Sequence, residues 1–253
     1  MPLIVHQFPC LSDNYGFLAH DEATGKTACI DTPEVAPILA ALKARGWTLD
    51  LILNTHWHPD HAGGNAEIVA ATGATVVGPA EVTKLTPIDR EVKGGDVVML
   101  GETRFEVIES GGHTLGHIAY FDARDHIAFV GDTLFALGCG RLFEGTAEQM
   151  WGSLQRLAAL PDDTAVYCAH EYTASNARFA LSVDDAPALK ARAAEIFAMR
   201  ERGEPTVPTT IGLEKATNPF LRAPELASRV GAAGQPDHAA FGAVRAAKDN
   251  FRG

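Results

Sequence analysis

Thr55-His56-Trp57-His58-Pro59-Asp60-His61 follows the apolar run Leu49–Leu53 and limits what this chain can become. Three imidazoles and a carboxylate stand within six positions on what reads as a strand-to-helix turn. Neutral imidazole together with carboxylate suits zinc, iron or manganese. One ion cannot easily take four side chains from so short a segment. The spacing therefore suggests sharing between two neighbouring ions, as in two-metal hydrolases. The competing interpretation is a solvated polar loop, and the density of His argues against it.

The chain has 253 residues, 46% of them hydrophobic, enough to bury a core as one large domain or one with an appendage. Charged residues make up 21%, which argues against global disorder. No apolar run approaches about 18 residues, so no membrane span is expected. Met1–His6 lacks a basic start, a long apolar core and a small-residue cleavage site, which points to the cytoplasm. Cys10, Cys29, Cys139 and Cys168 are widely spaced and form no CxxC, so they are expected as free thiols in or near the core. The net charge of −11 disfavours nucleic acid as a partner. It also repels small anions, so an anionic substrate would need specific cationic residues.

Strand patterns rich in Val, Ile and Phe fall at Leu3–Phe8, Phe17–His20, Thr27–Asp31, Leu49–Leu53, Ala74–Val77, Val97–Leu100, Arg104–Ile108, His117–Phe121, His126–Val130 and Ala165–Ala169. Helical patterns at Pro33–Arg45, Gly63–Ala71 and Thr146–Leu160 lie between some of them, with Thr146 as a candidate N-cap. After about Glu171 the strand signals stop. Ala-rich helical stretches follow at Ala174–Leu181, Pro187–Glu201 and Ala239–Asn250, separated by the Pro/Thr-rich link Gly203–Thr210. The expectation is an α/β body over residues 1–171 and a smaller α-helical domain over residues 172–253.

Further donors stand at strand ends. His113 and His117 lie in Gly112-His113-Thr114-Leu115-Gly116-His117, Asp132 in Gly131-Asp132-Thr133, His170 after the run ending at Ala169, and Asp31 after Ile30. Ligands at several strand ends converge on one rim of a sheet. Each has an ordinary alternative. Asp132 could belong to a turn, His170 could be a capping or core histidine, and His117 could support a ligand rather than be one. Asp31 is better suited to orienting a turn or a ligand than to binding metal. His6, His20, His126 and His238 have no ligand companions.

In order and spacing, THWHPDH, GHTLGH, GDTLF and His170 resemble the metallo-β-lactamase superfamily. The resemblance implies an α/β fold, an αβ/βα sandwich of two mixed sheets covered by helices. His56, His58 and His113 would hold one ion, Asp60, His61 and His170 the other, with Asp132 and a hydroxide bridging them. The cofactor implied is two divalent ions per chain, with zinc favoured and iron or manganese admitted. A carboxylate has two oxygens and can bridge, which one imidazole nitrogen cannot comfortably do. Five neutral His and two Asp leave residual positive charge, which lowers the pKa of bound water.

The metal donors alone do not select a reaction. GDTLFALGCGRLFEG, YCAHEYT, KATNPFLR and AVRAAKDNF together resemble glyoxalase II, the hydroxyacylglutathione hydrolases. The implied reaction is hydrolysis of S-D-lactoylglutathione to glutathione and D-lactate, the second step of methylglyoxal detoxification, by a monomer with no nucleic-acid or membrane partner. Arg245, Lys248 and Arg141 would hold the glycine carboxylate of glutathione, and Tyr172 its thioester or peptide part. Phe143 stands where some relatives have Tyr, so a contact there would run through its backbone. From spacing alone, Arg245 and Lys248 read equally as a solvated helix face. Asp60 and Asp132 would serve as ligands able to accept a proton briefly. The thiolate leaving group needs no separate acid. A single-iron persulfide dioxygenase on the same scaffold is the nearest rival, and the Arg245/Lys248 helix argues against it.

Overall fold

The computed structural model of the chain describes residues 2–253. Its contacts cluster into two compact units: residues up to Glu109 with Thr114–Gly131, and Ser110–His113 with Asp132–Gly253.

The first unit opens with strands β1 (Leu3–Cys10), β2 (Asn14–Asp21) and β3 (Lys26–Ile30), paired antiparallel in sequence order. Helix α1 (Val35–Arg45) crosses to β4 (Leu51–Leu53), and the short α2 (Pro59–Ala62) with α3 (Asn65–Thr72) crosses to β5 (Thr75–Gly78). A 3-10 turn at Ala80–Lys84 leads to β6 (Arg90–Glu91), and β3 through β6 run parallel. Each crossover returns the chain to the same sheet in the same direction, as parallel pairing requires. Four antiparallel strands follow: β7 (Val97–Leu100), β8 (Thr103–Glu109), β9 (Ile118–Asp122) and β10 (Ile127–Gly131), in spatial order β10-β9-β8-β7.

Side-chain alternation assigns the two faces of β2 to two layers. Leu18 packs with Cys29, Ile52 and Val76 against Ile38, Leu42 and Ile68 of α1 and α3. Phe17 points the other way, and its ring lies 5.8 Å from Phe129 on β10. Burial on both faces explains why β2 is buried along its whole length.

The second unit begins with a hairpin of β11 (Leu134–Phe135) and β12 (Gly138–Cys139). Helix α4 (Ala147–Ala158) starts where expected, and the Thr146 hydroxyl accepts from Gln149 N at 3.2 Å. Strand β13 (Ala165–Cys168) precedes α5 (Thr173–Val183) and α6 (Pro187–Glu201), which bury Ala177, Ala180, Leu189, Ala193 and Ile196 against each other. Strand β14 (Thr209–Thr210), α7 (Ile211–Thr217), α8 (Ala223–Leu226) and α9 (Asp237–Asn250) complete it. The Pro/Thr-rich link thus contains a strand that the sequence pattern does not mark. Thr209 and Thr210 pair with Val166 and Ala165, and two residues are too few to show alternation. All four cysteines are free and buried.

Candidate functional site

Parallel strands β3 and β4 end side by side, which puts Asp31 next to the loop after Leu53. Asp31 takes a left-handed backbone with φ 57°, and its two carboxylate oxygens accept from Thr55 N and Thr55 Oγ1, both at 2.8 Å. Its Oδ2 also lies 2.8 Å from His61 Nδ1. Asp31 therefore orients the His-rich loop, as its place in the sequence suggests. An acceptor at Nδ1 fixes the tautomer and leaves Nε2 of His61 for a ligand. Thr55 Oγ1 likewise stands 3.0 Å from His56 Nδ1. His117, just ahead of β9, stacks on His56 with centroids 4.7 Å apart.

Around these anchors the first unit brings together His56, His58, Asp60 and His61. His56 Nε2 lies 3.0 Å from His58 Nδ1, and His61 Nε2 lies 3.5 Å from Asp60 Oδ2. Asn14 Nδ2 steadies Asp60 through a 3.1 Å hydrogen bond. Two imidazole nitrogens sharing a tetrahedral ion at bonds of about 2.0–2.1 Å would stand roughly 3.3 Å apart, close to the separation of the His56 and His58 nitrogens. The donor set and its spacing fit a divalent ion.

The second unit brings together His113, Asp132 and His170. Gly112 precedes the first of them at φ 141°, and a Cβ there would meet Met150 Cα of α4 at 2.8 Å, so only glycine fits. His113 Nδ1 lies 2.9 Å from the Arg141 carbonyl, which frees Nε2. That Nε2 is 3.3 Å from Asp132 Oδ2, while His170 Nε2 is 3.3 Å from Asp132 Oδ1. One carboxylate thus presents a separate oxygen to each of two imidazoles, the arrangement a bridging ligand needs.

His113 and Asp132 line a cleft of about 440 Å³ together with Arg141, Phe143, Tyr172, Arg245 and Lys248. Tyr172 stacks on the His170 ring with centroids 4.6 Å apart. Arg245 is buried rather than solvated. Its Nη1 donates to the Cys139 carbonyl at 2.9 Å, its Nη2 to Asp249 Oδ1 at 2.8 Å, and its guanidinium lies over the Phe220 ring. Lys248 Nζ donates to Ser175 O and Oγ, both at 3.2 Å, beside the rings of Phe179 and Phe251. Burial, with Arg245 and Arg141 nearby, pushes the Lys248 ammonium down to about 8. Phe143 is 62% exposed, and its backbone N–H already donates to the His113 carbonyl at 3.3 Å. Burial raises the Cys139 thiol to about 11, so it is no nucleophile at neutral pH.

The cleft also contains Asp249 and Asn176, which the sequence reading did not single out. Asp249 was findable, because it stands four residues after Arg245 and such a pair shares a helix face. Asn176 carries no comparable signal.

Two family models cover nearly the whole chain. The metallo-beta-lactamase superfamily matches residues 25–170, and the hydroxyacylglutathione hydrolase C-terminus matches residues 171–251. A hydroxyacylglutathione hydrolase of Erythrobacter litoralis is 59% identical, covering 98% of this chain and 100% of the relative. The chain belongs to the hydroxyacylglutathione hydrolase family. Its fold is that of the metallo-β-lactamases, with a helical C-terminal region. ETHE1 from Myxococcus xanthus superposes with a TM-score of 0.66 at 28% identity, over 96% of this hydrolase-family chain and 97% of that one. TTHA1623, solved in a di-iron-bound form, superposes with a TM-score of 0.63 at 26% identity, over 86% and 100%. The sequence match over residues 171–251 marks the tail as that of a hydroxyacylglutathione hydrolase. Among the described residues no helix is long and apolar enough to cross a membrane.

Proposed function

We infer that this chain hydrolyses the thioester of S-2-hydroxyacylglutathiones, S-D-lactoylglutathione first among them, to glutathione and the hydroxy acid. The second step of methylglyoxal detoxification has this chemistry. The observation that carries this reading is the cleft, whose wall combines the cationic Arg141, Arg245 and Lys248 with His113 and Asp132. The names of the curated relatives agree with it.

In this proposal His56, His58 and His113 hold one divalent ion and Asp60, His61 and His170 a second, with Asp132 shared between them. Two ions are in keeping with TTHA1623, which holds two irons on the same fold. The ligand chemistry admits zinc, iron or manganese. When bound, such ions supply a water ionised near neutral pH and a Lewis acid for the carbonyl oxygen.

The chain's own residues do the remainder. Arg245 and Lys248 bind the glycine carboxylate of glutathione, with Arg141 beside them. Tyr172, held flat against His170, borders the thioester end. Asp132 or Asp60 accepts the proton that water gives up as its oxygen adds to the carbonyl carbon. The C–S bond then breaks with its electron pair going to sulfur. A cysteine thiolate, with a solution pKa of about 8.5, leaves without an acid catalyst. Residues 1–171 supply the reacting end and residues 172–253 most of the glutathione contacts. We place this activity in a cytoplasmic monomer.

Incubation with S-D-lactoylglutathione tests the reading. Release of one thiol and one D-lactate per thioester is expected. No thiol release, or oxygen uptake with glutathione persulfide in its place, overturns it.

A further inference from the structure

We propose that Glu214 of α7 and Asn218, the residue that ends it, are positioning residues for glutathione binding: they clamp the turn between β11 and β12 and thereby place the cleft wall from Phe135 to Cys139. The inference rests on the functional reading above. It concerns the KATNPFLR stretch, which no step of that reading uses.

Side chains of α5, α7 and the residue that ends α7 satisfy the backbone of this turn almost atom by atom. Asn218 Nδ2 donates to the carbonyls of Phe135 at 3.1 Å and Gly138 at 3.0 Å. Leu137 N donates to Glu214 Oε2 at 2.9 Å, and Asn176 Nδ2 donates to the Ala136 carbonyl at 3.1 Å. Leu137 is fully buried with φ 56°, a left-handed backbone that a branched side chain resists. Such a conformation persists only where its surroundings over-determine it.

The clamp is itself held rigidly. Glu214 and Asn218 are completely buried, lie four residues apart at the C-terminal end of α7, and meet at 2.9 Å. Glu214 Oε1 pairs with Arg192 and accepts from Thr209 Oγ1 at 2.6 Å. Arg192 is fixed in turn by Thr217 Oγ1 at 2.6 Å. Replacing a buried ion pair with apolar side chains is often neutral or stabilising, so keeping one here points to a need for position rather than for stability.

The consequence reaches the cleft at two places. The Cys139 carbonyl, at the end of the clamped hairpin, accepts the hydrogen bond from Arg245 Nη1. Phe135 lines the same wall and sets its ring edge against Tyr172, with centroids 5.5 Å apart. If the turn shifts, the arginine anchor and the tyrosine shift with it. Neither Glu214 nor Asn218 lines the cleft, so they act only through other residues.

The full-length, metal-loaded protein provides the test, with Asn218→Ala and Glu214→Gln as variants and Thr209→Val as the control. Thr209→Val removes a bond onto the clamp but leaves every bond from the clamp to the turn. KM and kcat are measured with S-D-lactoylglutathione, the Kd for glutathione by calorimetry, and Tm by unfolding. Asn218→Ala and Glu214→Gln are expected to raise KM and the glutathione Kd about tenfold, with kcat held within about threefold. Thr209→Val lowers Tm and leaves KM unchanged. Clamp variants that lose Tm like the control yet keep KM and Kd overturn the proposal, as does a loss confined to kcat. If Asn218→Ala does not fold, Asn218→Ser and Glu214→Gln give the same readout. A wild-type protein without thioesterase activity would instead refute the functional reading, and the glutathione Kd would still test the clamp.

Discussion

Asp249 changes what Arg245 can contribute. The guanidinium that the proposal gives to the glycine carboxylate already shares a carboxylate four residues away, and bound substrate has to compete with it or sit beside it. A charge-assisted hydrogen bond in such a place is worth about 1.5–3 kcal/mol. Arg245→Ala should therefore raise KM roughly 10- to 100-fold with little change in kcat, as steady-state kinetics would show. A large loss of kcat at constant KM would remove Arg245 from this role. Lys248 gives a pH signature. Its ammonium is held down to about 8, below the ordinary lysine value of 10.5, because burial and its cationic neighbours disfavour the charge. Attraction for an anion is complete below that pH and lost as pH rises through it. The affinity for glutathione should fall above about pH 8, and Lys248→Met should remove that fall.

At the scale of elements, glycine conformation sets the position of His113. Gly112 stands at φ 141° against the backbone of α4. Gly112→Ala should either push α4 away or rotate His113 off Asp132, with a large loss of kcat and a lower Tm. Wild-type kcat in that variant would show that the loop is more tolerant than the packing implies. These elements also show how far the sequence could be followed. Strands such as β1, β8 and β10 carry enough Val, Ile and Phe to announce themselves, and α4 announces itself through Thr146 and its apolar spacing. The donors His56, His58, Asp60 and His61 were legible because four ligating side chains crowd one turn. By contrast, β6, β11, β12 and β14 are two residues each and hold their place through pairing alone. The Asn218 contacts were hidden for a different reason. They join residues some 80 positions apart, and no local pattern encodes such a bond.

Over the whole molecule, a chain of net charge −11 gathers Arg141, Arg245, Lys248 and Arg252 around one cleft. This local reversal of sign answers the difficulty of attracting an anionic thioester to an acidic protein. The proposed reaction calls on two further groups of side chains, His56, His58, Asp60 and His61 in one unit and His113, Asp132 and His170 in the other. In the proposed reaction hydrolysis depends on two ions held by these seven side chains. Elemental analysis of wild type and Asp132→Ala, made alongside S-D-lactoylglutathione hydrolysis before and after chelation, tests it most directly. Two divalent ions per wild-type chain are expected, with activity that disappears on chelation and returns with added metal, and an Asp132→Ala variant that has lost both metal and turnover. Undiminished hydrolysis in metal-stripped protein, or full activity in Asp132→Ala, would contradict it.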